Sequence, residues 1–144
     1  MTKREPGTLA RFAVEDKKVS NTTASPRLFD PMYNREQGRL EVSVCRIDGL
    51  RKKQIKREGF SVVQRRPDKD ALHGWAELSE SDVKKLDLCV LDDTPPPRHA
   101  IIVGWPEKRQ DKKRKAQDLA RAVTCVKRFK PPRPVPNEHR TASL

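Results

Sequence analysis

Polar and apolar residues first alternate cleanly at Arg39–Ile47, RLEVSVCRI. Leu40, Val42 and Val44 fall on one face and Glu41, Ser43 and Cys45 on the other, the period of a strand. Asp48-Gly49 then reads as a turn, and RKKQIKREG as a short, polar helix closed by Gly59. FSVVQR predicts a second strand, followed by a turn at Arg66-Pro67-Asp68. ALHGWAEL predicts a third, with Leu72, Gly74, Ala76 and Leu78 opposed to His73, Trp75 and Glu77. Ser79 suits the N-cap of a short helix through Leu86, with Asp82 three residues on and Leu78 and Val83 placed as a hydrophobic staple. LCVL and HAIIVGW predict strands four and five.

The last element is read as the longest helix, from Pro106 to about Phe129, with Pro106 in its first turn. Ala116, Leu119, Val123 and Val126 recur at helical spacing and face a sheet, whereas EKRQDKKRK has no apolar face and should project outward. The expected core is Leu40, Val42, Val44, Val62, Ile101, Val103, Leu119, Val123 and Val126.

The flanks lack such periodicity. Residues 1–38 read as an extended or disordered arm, and 131–144, rich in proline, as an extended basic tail. Residues 39–130 then form one α+β domain: a small sheet of about five strands packed by a long C-terminal helix.

Composition limits the core. Hydrophobic residues are 34% of the 144 and charged residues 36%, and the formal charge is +12. The excess sits in blocks: residues 51–70 carry a net +5, 107–130 a net +7 and 76–93 a net −4. Such blocks favour a basic patch and an anionic partner, with nucleic acid, RNA or DNA, first among candidates. Arg51, Lys52, Lys53, Lys56 and Arg57 are the candidate contacts from the first block, and Lys108, Arg109, Lys112, Lys113, Arg114 and Lys115 those from the second. Aromatics, at 5%, are too few for a stacking platform. No helix-turn-helix, zinc-finger, zipper or RNA-recognition signature is present.

Cys45, Cys89 and Cys125 are odd in number, widely spaced and set among apolar neighbours. They are expected to be buried, reduced thiols of a cytoplasmic protein. The N-terminus carries no leader-like apolar run, and no stretch approaches a membrane span. No cofactor or metal is expected, since glycine-rich phosphate loops and paired ligand motifs are missing. Asp92-Asp93, before the prolines, reads as a turn more readily than as a cation site.

Chemistry rests on two histidines. His73 and His99 each sit near the start of an expected strand, and facing each other they would supply a general base and acid for a phosphodiester, with Arg98 on the phosphate. The pair is faintly similar to the two-histidine phosphoesterases. That family's motif wants a hydroxyl residue two positions after each histidine, where Trp75 and Ile101 stand here. His139, in the tail, is a poor catalytic candidate. The leading reading is therefore a small basic nucleic-acid-associated protein, non-enzymatic, serving as an accessory subunit of a larger protein or nucleoprotein complex. One alternative is a metal-independent phosphodiesterase or ribonuclease of toxin type using His73 and His99. Another is an adaptor whose proline-rich tail docks on a partner.

Overall fold

The segment expected to be a loose arm supplies a central strand. The computed structural model describes residues 3–15, 17–20, 22–66, 68, 69 and 71–134. Within them β1 (Thr8–Ala13) lies between β3 (Arg39–Arg46) and β4 (Ala71–Ser79). Its TLARFA sequence shows no polar face because both faces are covered: Leu9 and Ala13 pack on one side, Ala10 and Phe12 on the other. Ahead of it, Arg4 donates from Nε and Nη2 to the two carboxylate oxygens of buried Glu77 at 3.0 and 2.8 Å. Trp75 Nε1 donates to the same carboxylate at 2.9 Å. The domain thus begins well before residue 39.

The sheet has seven strands where about five were expected, and every pairing is antiparallel. The order runs β5 (Cys89–Asp92), β6 (His99–Val103), β3, β1, β4, β7 (Cys125–Pro134), with β2 (Met32–Asn34) paired to β3. The α+β class stands, and two of the extra strands come from the expected arm.

Two other expectations change. FSVVQR is the second half of α1 (Lys52–Gln64), not a strand. Ile55, Gly59 and Val63 are buried at i, i+4 and i+8, so Gly59 lies inside the helix instead of ending it. Glycine is needed there because a Cβ would stand 2.8 Å from Leu72 and 2.9 Å from Phe12. The long C-terminal helix is shorter than expected. α3 (Arg109–Ala122) ends before Val123, and the β-branched run after it becomes β7, paired to β4. The first part of the expected tail, Pro131–Pro134, belongs to that strand, and residues 135–144 lie outside the described ones.

Helices flank the sheet on both faces. On β3, Val42 and Val44 point to the side holding Ala116 and Leu119 of α3, Val83 of α2 (Glu80–Lys85), and Leu28 and Phe29 of the 3-10 turn Pro26–Phe29. Cys45 and Ile47 belong to the other side, with Ile55 and Val63 of α1 and the aromatic row Phe12, Trp75 and Phe129. Val42, Val44, Ile101 and Leu119 are buried as expected. Leu40, Val62, Val103, Val123 and Val126 are half-buried, and Val62 packs on the α1 side. Ser79 caps α2 as its sequence predicts, accepting from the Asp82 amide at 3.1 Å.

Candidate nucleic-acid interface

The two basic segments do not merge into one surface, because α1 and α3 occupy opposite faces of the sheet. On the α3 face, Lys108, Arg109, Lys113 and Arg114 are exposed and Lys112 and Lys115 half-exposed. Lys108 is the N-cap. Cations are disfavoured at that positive end of the helix dipole, so folding does not account for them. Lys115 is not part of a free prong: its ammonium donates to the Leu86 carbonyl.

On the α1 face, Arg51, Lys53 and Arg57 are exposed, while Lys52 and Lys56 lean toward β7. The pairing of β7 with β4 sets Lys127 opposite Trp75 and Arg133 opposite Leu72. Directly opposed residues share a face, and Trp75 and Leu72 face α1, so Lys127 and Arg133 join Lys52 and Lys56 there.

Three of these cations gather around Phe129, a buried ring at the edge of the aromatic row, and Lys52 stands beside Lys127. Lys56 Nζ lies 5.6 Å from its centroid, Lys127 Nζ 5.9 Å and the Arg133 guanidinium 5.6 Å. The ring's negative face holds the charges near one another. Lys127 is held below the usual lysine range by the close ammonium of Lys52, then by desolvation and by Lys56 and Arg133. Lys56 is lowered too, by desolvation and then by Arg133 and Lys52. No carboxylate enters either balance. Four like charges crowd here, and a polyanion laid across them would relieve the repulsion.

Sequence reasoning found Lys52 and Lys56 and missed Lys127 and Arg133. Those two sat in what reads as a helix end and a tail, and only the β4–β7 register places them. The one local signal was the alternation of Lys127, Phe129 and Pro131 against Arg128 and Lys130. Bases find no stacking platform among the tryptophans. Trp75 is fully buried, and Trp105 is buried with its Nε1 donating to the Ile102 carbonyl at 2.9 Å.

The histidines do not converge. His99 pairs with Cys45, which pairs with Ala10, which pairs with Glu77, and His73 lies four residues further along β4. Three strand spacings across and four residues along put the two backbones roughly 20 Å apart, against the roughly 8 Å needed to flank one phosphate. His99 Nδ1 is engaged by the Asp93 carbonyl at 2.9 Å and its carboxylate at 3.0 Å. Arg98, though exposed, donates from Nη1 to the Arg46 and Asp48 carbonyls, each at 3.3 Å, at the entry to β6. Asp92 pairs with Arg46 at 2.5 Å. His139 lies outside the described residues.

The cysteines are only partly as expected. Cys45 is buried, its thiol pushed up to about 12 by desolvation and then by Glu58. Cys89 and Cys125 are exposed, because each lies on an edge strand. Among the described residues no cluster of three metal-ligating side chains occurs, and no helix is long and apolar enough to cross a membrane. No protein-family model, curated protein or solved structure matches the chain.

Proposed function

We propose that this chain is a nucleic-acid-associated protein that grips the phosphate backbone through its α1–β7 face, as an accessory subunit of a larger cytoplasmic nucleoprotein assembly. One observation carries the reading: Lys56, Lys127 and Arg133 converge on Phe129 with Lys52 beside Lys127, and this crowding lowers Lys56 and Lys127, with no carboxylate in either balance. Such a cluster costs stability in the free protein and is offset by phosphate contacts that release counterions. Both tryptophans are buried and the sequence carries no base-reading motif, which favours backbone contact without sequence discrimination. The α3 cations supply a second, separate surface on the opposite face, suited to a neighbouring strand or an acidic subunit. Unpaired Cys89 and Cys125 at the surface suit a reducing compartment.

Binding of duplex and single-stranded RNA and DNA across a salt series tests this. Reversal of Lys52, Lys56 and Lys127 to Glu should flatten the log–log salt slope by about 2–3 units and weaken all sequences alike. Reversal of Lys112, Lys113 and Arg114 reports separately on the α3 face. Unchanged affinity and slope in the α1–β7 variant overturns the reading. Capture of a protein partner with no measurable nucleic-acid affinity replaces it with the adaptor.

A further inference from the structure

β1 pairs with β4 over six residues, Thr8 to Ala13, but with β3 over only two, Leu9 opposite Arg46 and Ala10 opposite Cys45. β3 meanwhile continues along β6 as far as Val42. The sheet therefore splits between β1 and β3 beyond Ala10, and Arg11 stands in the split. Its Nε donates to the Leu28 carbonyl at 2.9 Å, and its Nη1 to the Ser43 carbonyl at 2.9 Å. A guanidinium has five N–H groups, so three of them find no acceptor among the described residues.

Cavities of about 360 and 240 Å³ open at the split, and Arg11, Phe12, Ser43 and Arg66 line both. In the larger, the acids are exposed or have other partners, and the charge of Glu15 also reaches Arg11 and Arg66. Glu15 meets Lys69 at 3.0 Å, Glu41 accepts from Asn34 at 3.0 Å, and Asp30 is exposed. The smaller is lined by three arginines, Arg11, Arg65 and Arg66, against the single carboxylate of Glu58, with Phe12 and Val62 as apolar wall. Among the described residues none of these three arginines forms an ion pair. Desolvation, then the charge of Arg66, lower Arg11 to about 10, so it is still a cation at neutral pH and gains by meeting an anion.

We propose that this split binds a small phosphate monoester, its phosphoryl group between Arg11 and Arg66 and its organic body against Phe12 and Val62. Three guanidiniums and one carboxylate leave two net positive charges, which matches the roughly −1.5 to −2 of a monoester at neutral pH. The planar guanidinium fork suits phosphate oxygens. The smaller cavity, about 240 Å³, is a little below the roughly 300–1,000 Å³ usual for small-molecule sites, which suits a small monoester. The site does not depend on the α1–β7 interface: Lys52 and Arg65 stand at opposite ends of α1, about 20 Å apart at 1.5 Å per residue.

Calorimetric titration with phenyl phosphate, a nucleoside 5′-monophosphate and inorganic phosphate is the test. The organic monoesters should bind at least roughly tenfold tighter than inorganic phosphate, and Arg66→Ala should weaken them at least roughly tenfold. Reversal of Lys52, Lys56 and Lys127 to Glu should leave this binding unchanged, which separates the split from the nucleic-acid surface. Arg66→Gln serves as the second variant should Arg66→Ala lose its fold. Failure of both monoesters to bind the wild type at about 10 mM overturns the proposal, as does an arginine variant that binds like wild type. Equal affinity for inorganic phosphate and the monoesters overturns it too, since the apolar wall would then contribute nothing.

Discussion

Removal of the Arg4 side chain tests whether residues before β1 belong to the folded domain. Glu77 is 5% exposed and receives both donors of the Arg4 fork together with the indole of Trp75. Arg4→Ala leaves that carboxylate in the interior with the Trp75 indole and the Cys125 thiol as its remaining side-chain donors described. Breaking a buried pair from one side typically costs about 3–5 kcal/mol. The Arg4 side chain is 20% exposed, so water enters part of the vacated space, and about 2–3 kcal/mol is the better expectation. At roughly 3–4 °C per kcal/mol for a chain of this length, the melting midpoint should fall by about 6–12 °C. Urea denaturation should show a lower midpoint at unchanged slope. Glu77→Gln keeps an acceptor for Trp75 and frees a guanidinium that reaches solvent, so its cost should be smaller, about 1–2 kcal/mol. The double variant buries no charge and should be more stable than Arg4→Ala alone. An Arg4→Ala stability within about 0.5 kcal/mol of wild type, or strictly additive losses in the cycle, would refute the reasoning.

Gly74→Ala should destabilise by more than about 2 kcal/mol, because a Cβ there would stand 2.0 Å from the Lys127 carbonyl oxygen at φ +152°; chemical denaturation measures it. Leu119→Ala, at a fully buried site, should cost about 2–5 kcal/mol, read by the same assay. A thiol reagent should label Cys89 and Cys125 in the native protein and Cys45 only after denaturation, since Cys45 is buried and its thiol stays protonated. Lys127 and Lys56 are lowered in the folded state, so the unfolded chain binds more protons as pH rises toward the ordinary lysine value. The free protein should therefore gain stability across that window while polyanion affinity declines earlier than for ordinary lysines, measurable as binding against pH.

Local pattern was legible where polar and apolar residues alternate, where turn residues bound a short apolar run, or where a cap is chemical. β3, β4, β5 and β6 and the Ser79 cap were readable because alternation and a side-chain oxygen before a helix are properties of a few adjacent residues. β1 was not, because TLARFA carries no polar alternation. FSVVQR and the residues after Ala122 were misread because a short β-branched run suits either state, and its neighbours decide: Phe12 and Leu72 receive α1 at Gly59, and β4 offers an open edge to β7. The same division holds for function. The charge and its blocks are written in the sequence, since charge is a sum over residues. Which charges meet is a matter of register and face. Antiparallel pairing of β7 with β4 brings Lys127 and Arg133 to Lys52 and Lys56, and the same sheet keeps α3's lysines on its far side and holds His73 from His99. Contacts between residues some 70 positions apart depend on how strands choose partners, and no local stretch encodes that choice.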